Sequence, residues 1–135
     1  MAENKPKVYA TAIGRRKRAV ASVSLISGSG KIIVNDKPSS EYFGNDLAAH
    51  TRLKLPFTSV EVSKYDAIVS THGGGKGGQL DAAVLGISRC LVSLKVEHKT
   101  ELRLNGLLTR DPRKRQRRMI GMGGKSRRRK QSPKR

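Results

Sequence analysis

Apolar and polar residues alternate along the first half of the chain, and then the period changes. In "AVASVSLI" the residues Ala19, Ala21, Val23 and Leu25 fall on one face and Val20, Ser22, Ser24 and Ile26 on the other. One face is apolar and the other mixed, which predicts a half-buried strand. Val8–Ile13 predicts a strand ahead of it. After the turn residues "SGSG" at Ser27–Gly30, "KIIVN" predicts the returning strand of a hairpin. "FTSVEVS", with Val60 and Val62 on one face, and "YDAIVST" predict one further strand or two.

Helical signals separate and follow these runs. "DKPSSEYFG" has Pro, then Ser, Ser and Glu, and predicts a short helix closed by Gly44. Asn45 or Asp46 then caps a second short helix through Ala48, Ala49 and Thr51, and Pro56 is expected to stop it. After "HGGGKGGQ", Leu80, Val84, Ile87, Leu91 and Leu94 recur at steps of four and three, the stripe of an amphipathic helix over Gln79–Leu94. A short helix over Glu97–Leu104 should end near Asn105 and Gly106. Past Thr109 no apolar period survives. The expected architecture is α+β, a two-layer sandwich of a mostly four-stranded sheet and helices. Residues 1–7 read as an N-terminal arm, 8–109 as the globular domain and 110–135 as an extended polycationic tail.

Charge sharpens this division. The chain carries 29 Lys and Arg against 10 Asp and Glu, a net of +19, which calls for a polyanionic partner. Residues 110–135 hold 13 of the cations and one acid, Asp111, so +12 of that net sits in the last 26 residues. No stretch approaches the ~20 apolar residues of a membrane span. The opening "MAENKPKVYA" has no apolar core of a targeting segment. Cys90 is the single cysteine, which leaves no disulfide framework and suits a reducing compartment. Aromatics make up 4% of residues and Trp is absent, which disfavours a base-stacking platform.

Few residues carry catalytic chemistry. Gly73, Gly75 and Gly78 satisfy G-x-G-x-x-G between a strand and a helix. The acid a dinucleotide site needs ~20 residues on would be Glu97, in a helical stretch rather than at a strand end. Lys76 is followed by Gly77 rather than Ser or Thr, so a P-loop fails too. His50, His72 and His98 lack metal-ligand spacing. Cys90 lies in the helix stripe as a packed small residue. Asp66 and Asp81 have no second carboxylate at an acid–base spacing. The reading is therefore not an enzyme, with no catalytic residue, metal, cofactor or small-molecule substrate.

Three groups of residues suit phosphate instead. Arg15, Arg16, Lys17 and Arg18 stand where one strand meets the next; as a strand they would alternate faces, and as a turn or bulge they would fan out together. Gly73, Gly74, Gly75, Lys76 and Gly77 combine close backbone approach, a helix N-terminus and a cation. The tail supplies Arg110, Arg113, Lys114, Arg115, Arg117 and Arg118, then a "MIGMGG" hinge, then Lys125, Arg127, Arg128, Arg129 and Lys130, with Lys134 and Arg135 at the tip. Ordering such a tail costs about 1–2 kcal/mol per residue. It should therefore be ordered only where nearly every cation finds a phosphate, as in the crevices of a large folded RNA. A nuclear localisation signal needs fewer residues, and a polybasic membrane anchor lacks an accompanying lipid site or amphipathic helix.

"GRRKRAVASVSLISGSGKIIVN", "EYFG", "HGGGKGGQLDAAVLGISRCL" and "LLTRDPRKRQRR" together resemble the bacterial type of the small-subunit ribosomal protein nine family. The resemblance runs from about Tyr9 to the C-terminus. Its most specific part is Gly73–Gln79, followed in register by Ala82, Gly86, Ser88, Arg89 and Leu91. Cys90 stands where the family pattern usually has Gly, Ser, Ala or Leu. The resemblance implies the fold of the second domain of ribosomal protein S-five, with a left-handed β-α-β crossover that runs against the general rule. It implies a structural constituent of the small subunit in the cytoplasm, on a bacterial or organellar ribosome. The body and tail cations named above would bind rRNA in the head, among neighbouring head proteins. Lys134 and Arg135 would reach toward the peptidyl-site tRNA. The family end is usually an aromatic followed by Ser-Lys-Arg. Here it is Gln131-Ser132-Pro133-Lys134-Arg135, which keeps the charged pair, lacks the aromatic and inserts a proline with no N–H.

Overall fold

A nine-residue strand, β1 (Val8–Arg16), turns directly into β2 (Ala19–Ser27). Then follow β3 (Ile32–Val34), β4 (Lys37–Pro38), α1 (Ser39–Phe43), α2 (Leu47–Ser59), β5 (Tyr65–His72), α3 (Lys76–Leu94) and α4 (His98–Leu104). The structure is a computed structural model and describes residues 7–125 and 127–129. The expected N-terminal arm, apart from Lys7, lies outside them. The five strands form one sheet in the order β1-β2-β5-β3-β4. The β1–β2 and β2–β5 pairs are antiparallel, and β3–β5 is parallel.

Alternation sets the core. Ala19, Ala21, Val23 and Leu25 of β2 are buried, as are Ala67 and Val69 of β5 and Val34 of β3. Ala82, Ala83, Ile87, Cys90 and Leu91 of α3 meet them from one side. Leu53 of α2 and Leu102 of α4 complete this layer. The result is the expected two-layer α+β sandwich, with the two-residue β4 added at the sheet edge.

The approach of α3 to β1 is backbone to backbone. A Cβ at Gly14 would overlap the Ala82 carbonyl oxygen and stand 2.6 Å from the Gly86 nitrogen. A Cβ at Gly86 would stand 2.6 Å from Cγ2 of Val23. The Arg89 guanidinium adds a bond from α3 to the Ile13 carbonyl at 2.7 Å.

Three expectations are corrected. "KIIVN" does not return alongside β2, because β5 lies between them. Ser27–Lys31 is a crossing loop held by Asp66, whose Oδ1 accepts the N–H groups of Ser29, Gly30 and Lys31, each at 2.8 Å. Gly28 leaves room for that carboxylate, since a Cβ there would overlap it. Parallel pairing of β3 with β5 then requires the long crossover that β4, α1 and α2 supply.

Pro56 does not stop α2, which runs on to Ser59. Pro56 itself is fully buried, and burial with Leu53 and Phe57 outweighs the one missing helical hydrogen bond. Nor is "FTSVEVS" a strand. It ends α2 in a Schellman turn, with Val62 N–H donating to the Phe57 carbonyl at 3.1 Å and Glu61 N–H to the Thr58 carbonyl at 3.2 Å. Glu61 has φ +54, the left-handed conformation this turn needs. The Val60/Val62 alternation therefore marks apolar packing of a helix end.

Gly14→Ala should separate β1 from α3 and lower stability by about 2–3 kcal/mol or more, as overpacking does. Urea unfolding followed by circular dichroism measures it, and an unchanged midpoint would show that the contact is slack.

Candidate nucleic-acid interface

The β1–β2 pairing places Arg16 opposite Ala19, so Lys17 and Arg18 are the whole turn. Lys17 takes φ +53, as two-residue hairpin loops require. Lys17 and Arg18 thus project from the tip, and Arg15 is exposed on the strand before it. Strand alternation sends Arg16 the other way. Its side chain is 13% exposed and lies 3.6 Å from the Asp81 carboxylate and 3.1 Å from that of Asp111. It also donates to the Arg113 carbonyl at 2.5 Å. All four were expected as phosphate contacts. Three face solvent, and Arg16 binds the tail to the body.

The glycine loop lies beside this turn. Gly73 and Gly74 have φ +73 and +63. A Cβ on Gly73 would stand 2.6 Å from the Arg18 carbonyl oxygen, and one on Gly74 3.1 Å from the Ala19 nitrogen. Side chains at these two positions would push the loop away from the turn. Gln79 braces the loop by donating to the Gly73 carbonyl at 3.1 Å. The Tyr42 hydroxyl in turn donates to Gln79 Oε1 at 2.6 Å. Lys76 sits with its amine 5.9 Å from the centre of the Tyr42 ring. Gly75 caps α3 with extended backbone and no side-chain bond, and the first turn of the helix holds no acid. Gly73 to Gly77 are all exposed. The N-terminal end of a 19-residue helix, with its partial positive charge, therefore opens next to Lys76, Lys17 and Arg18.

The tail starts from the same end. Asp111 accepts the Arg113 N–H at 2.9 Å and pairs with the Arg113 guanidinium at 2.7 Å. Those Arg113 bonds, with Arg16 behind them, hold the Asp111 carboxyl well below the usual range. Asp81, already on Arg16, also binds Arg52 at 2.6 Å. A shallow groove is lined by Arg16, Lys17, Arg113, Lys114 and Arg115, so turn and tail root share one surface. Arg110, Arg117, Arg118, Lys125, Arg127, Arg128 and Arg129 are exposed. Residues 111–119 have no helix or strand. The expected "MIGMGG" hinge is instead a closed loop, with Met122 bridged to Arg129. Lys130, Lys134 and Arg135 lie outside the described residues.

Tyr42, Gln79, Asp81 and Asp111 were not singled out from the sequence as positioning residues. Only the fold brings Asp81 and Asp111 to one guanidinium, 30 residues apart as they are. The signal available was local: each lies in or beside a stretch that also carries glycines or cations. Among the described residues no cluster of His, Cys, Asp and Glu suits a metal ion. No helix among them is long and apolar enough to cross a membrane.

A family model described as "Ribosomal protein S9/S16" matches residues 14–135. The chain is 45% identical over 121 residues to the small ribosomal subunit protein uS9 of Crocosphaera subtropica, covering 89% of this chain and 88% of the relative. It is 43% identical over 119 residues to the protein of the same name from Desulfotalea psychrophila, covering 87% and 89%. Against that from Porphyromonas gingivalis it is 44% identical over 106 residues, covering 78% and 82%.

The single thiol stands apart from this surface. Cys90 is buried and donates to the Val23 carbonyl at 3.4 Å. Burial pushes its pKa up to about 12, which leaves almost no thiolate at neutral pH. Iodoacetamide at pH 8 should leave the native protein unmodified and label it fully in urea, as read by intact mass. Rapid native labelling would show an accessible thiolate.

Proposed function

The chain belongs to the ribosomal protein S9/S16 family, whose members are structural and not enzymes, and on that premise we propose that it is a structural constituent of the small ribosomal subunit. Its body grips rRNA of the head through the cationic end of the sandwich, and its tail continues along rRNA toward the peptidyl-site tRNA. One observation supports this above the others. Three phosphate-suited features that are distant in sequence meet at one end of the fold: the Lys17–Arg18 turn, the Gly73–Gly77 loop with Lys76, and the tail root at Arg113–Arg115.

The chemistry follows from the groups present. Arg15, Lys17, Arg18 and Lys76 offer side-chain cations, and the first N–H groups of α3 offer uncharged donors to a phosphate oxygen. Arg113 is half-satisfied by Asp111, so it is set in direction before RNA arrives. Each phosphate neutralised releases counterions, and the binding constant should fall steeply with salt, with a log–log slope of about −0.7 to −0.9 per contact. The outer sheet face, with Thr11, Ile13, Ser22, Ser24, Ile68 and Ser70, carries no cation in its centre and suits a neighbouring head protein better than a phosphate backbone. For Lys134 and Arg135 the reading rests on charge and on the family tip.

Two measurements test the proposal. In Gly77→Ala the new Cβ meets nothing within 4 Å, and alanine is the better helix former by about 0.5–1 kcal/mol. The free protein should be more stable, yet bind a small-subunit rRNA transcript several-fold more weakly because the methyl group stands where phosphate approaches. Equal binding would reduce the loop to a structural turn. Removing Lys134 and Arg135 should leave incorporation into subunits intact and modestly weaken tRNA retention at the peptidyl site in filter-binding assays. If the truncated chain fails to incorporate, the tip is an anchor and not a tRNA contact.

A further inference from the structure

The tail holds a small folded unit that ties its second basic block back to the first. Met122 N–H donates to the Met119 carbonyl at 3.1 Å, with Gly121 at φ +79 in the bend. Gly123 N–H donates to the Arg128 carbonyl at 3.4 Å, and Arg127 N–H to the Gly124 carbonyl at 3.3 Å. Gly123 is buried in the loop, where a Cβ would overlap the Arg129 carbonyl oxygen and stand 2.8 Å from that of Arg127. Two cations of the preceding block lock the unit. The Arg118 guanidinium donates to the Lys125 carbonyl and, at 3.0 Å, to the Arg127 carbonyl, and Arg115 donates to the Lys125 carbonyl at 3.3 Å.

This closure turns apolar side chains outward. Met119 is 76% exposed, Ile120 98% and Met122 40%, among exposed cations of both basic blocks. The guanidinium groups of Arg117, Arg127 and Arg128 make no hydrogen bond to another described residue, whatever their backbones do in the loop. A knob of this kind has nothing to give a phosphate, yet its surroundings demand a polyanion. One partner supplies both an apolar surface and flanking negative charge: an RNA segment whose bases are unstacked.

We propose that Met119, Ile120 and Met122 form a preformed apolar knob that packs against exposed nucleobase faces of folded RNA, while Arg117, Arg127 and Arg128 hold the flanking phosphates. This rests on the reading that the tail binds rRNA, and adds that part of its contact is with bases. Methionine suits the task, being unbranched and polarisable, and apolar side chains elsewhere wedge between base steps. The chain has little aromatic content with which to do so by stacking.

The test uses the full chain and a transcript of the small-subunit rRNA head domain, with filter binding across a salt series and dimethyl sulfate probing of base reactivity. Met119→Ser combined with Ile120→Ser should weaken binding about tenfold, the worth of roughly one buried apolar side chain, without changing the salt slope. It should also restore reactivity at a few unpaired bases. Arg117→Gln should instead reduce the slope by about one contact. Gly123→Ala, which opens the loop, should reproduce the double variant. All these sites are in the tail, so the thermal midpoint of the body should not move.

Unchanged affinity and base reactivity in the double variant would overturn the proposal. So would unchanged binding to bare transcript with a loss seen only in protein-containing subunits, since a protein would then cover the knob. If the unaltered chain shows no salt-dependent binding at all, the RNA reading itself fails, and the knob with it.

Discussion

The contact between Gly14 and Gly86 decides where everything else sits. It lets α3 lie on β1 at backbone distance, closer than any side chain would permit. A helix so close to a strand has little freedom to slide or roll, because the interior is packed like a solid. The N-terminus of α3 is therefore fixed beside the β1–β2 turn. Gly78 continues the approach, with room for no more than an ordinary contact to Ala19 and Arg16. Gly73 and Gly74 finish it against Arg18 and Ala19. A run of small residues along one seam thus brings a helix N-terminus and a cationic turn together, although they repel.

That repulsion is met by acids placed inside the cationic end. Only 10 acids are available against 29 cations. Asp81 and Asp111 converge on Arg16, which is nearly enclosed between them. The half-buried carboxylates thus tie the tail root down at Arg16, and each also pairs with a surface arginine, Asp81 with Arg52 and Asp111 with Arg113. The Asp111 carboxyl is held low, so its contribution is complete above its ordinary pKa of 3.8 and disappears as pH falls through the lower folded value. Asp66 behaves in the same sense at the opposite end of the sheet. Burial pulls its pKa up, and three backbone N–H bonds more than reverse that. The joint between body and tail is thus intact at neutral pH.

Where the sequence was legible, one local signal dominated. The 4-3-4-3 stripe over Leu80–Leu94 gave α3, although Ala82–Ser88 are buried all round the helix, and strict alternation gave β2, which buries a single face. Gly44 and Gly106 marked helix ends at φ +76 and +68. It was misleading where two physical causes leave the same pattern. Val60 and Val62 look like a strand face, but they are the apolar contacts of a helix cap. Pro56 looks like a stop, yet tertiary burial overrides a local penalty. "KIIVN" is a strand, but which neighbour it pairs with depends on a crossover of some 30 residues. Among the site residues, strand alternation alone foretells that Arg15 and Arg16 part company. Which of them turns inward depends on Asp81 and Asp111, and no local pattern gives that.

The glycines of the loop separate what the fold requires from what a partner requires. Gly73 and Gly74 combine positive φ with backbone atoms that exclude a side chain, so the protein alone accounts for them. Gly75 and Gly77 have neither restriction. Gly75 has φ −108, Gly77 is within a helix, and a Cβ on either would meet nothing within 4 Å. A glycine inside a helix costs stability of roughly 0.5–1 kcal/mol relative to alanine. Packing gives no reason to carry that cost at Gly77. A reason appears only if something outside the chain must come within a methyl group of the backbone, beside Lys76 and the open end of α3. Of the dinucleotide-like spacing in "HGGGKGGQ", Gly73 and Gly78 thus fit the loop and helix to the sheet, while Gly75, like Gly77 beside it, has no packing reason within the chain.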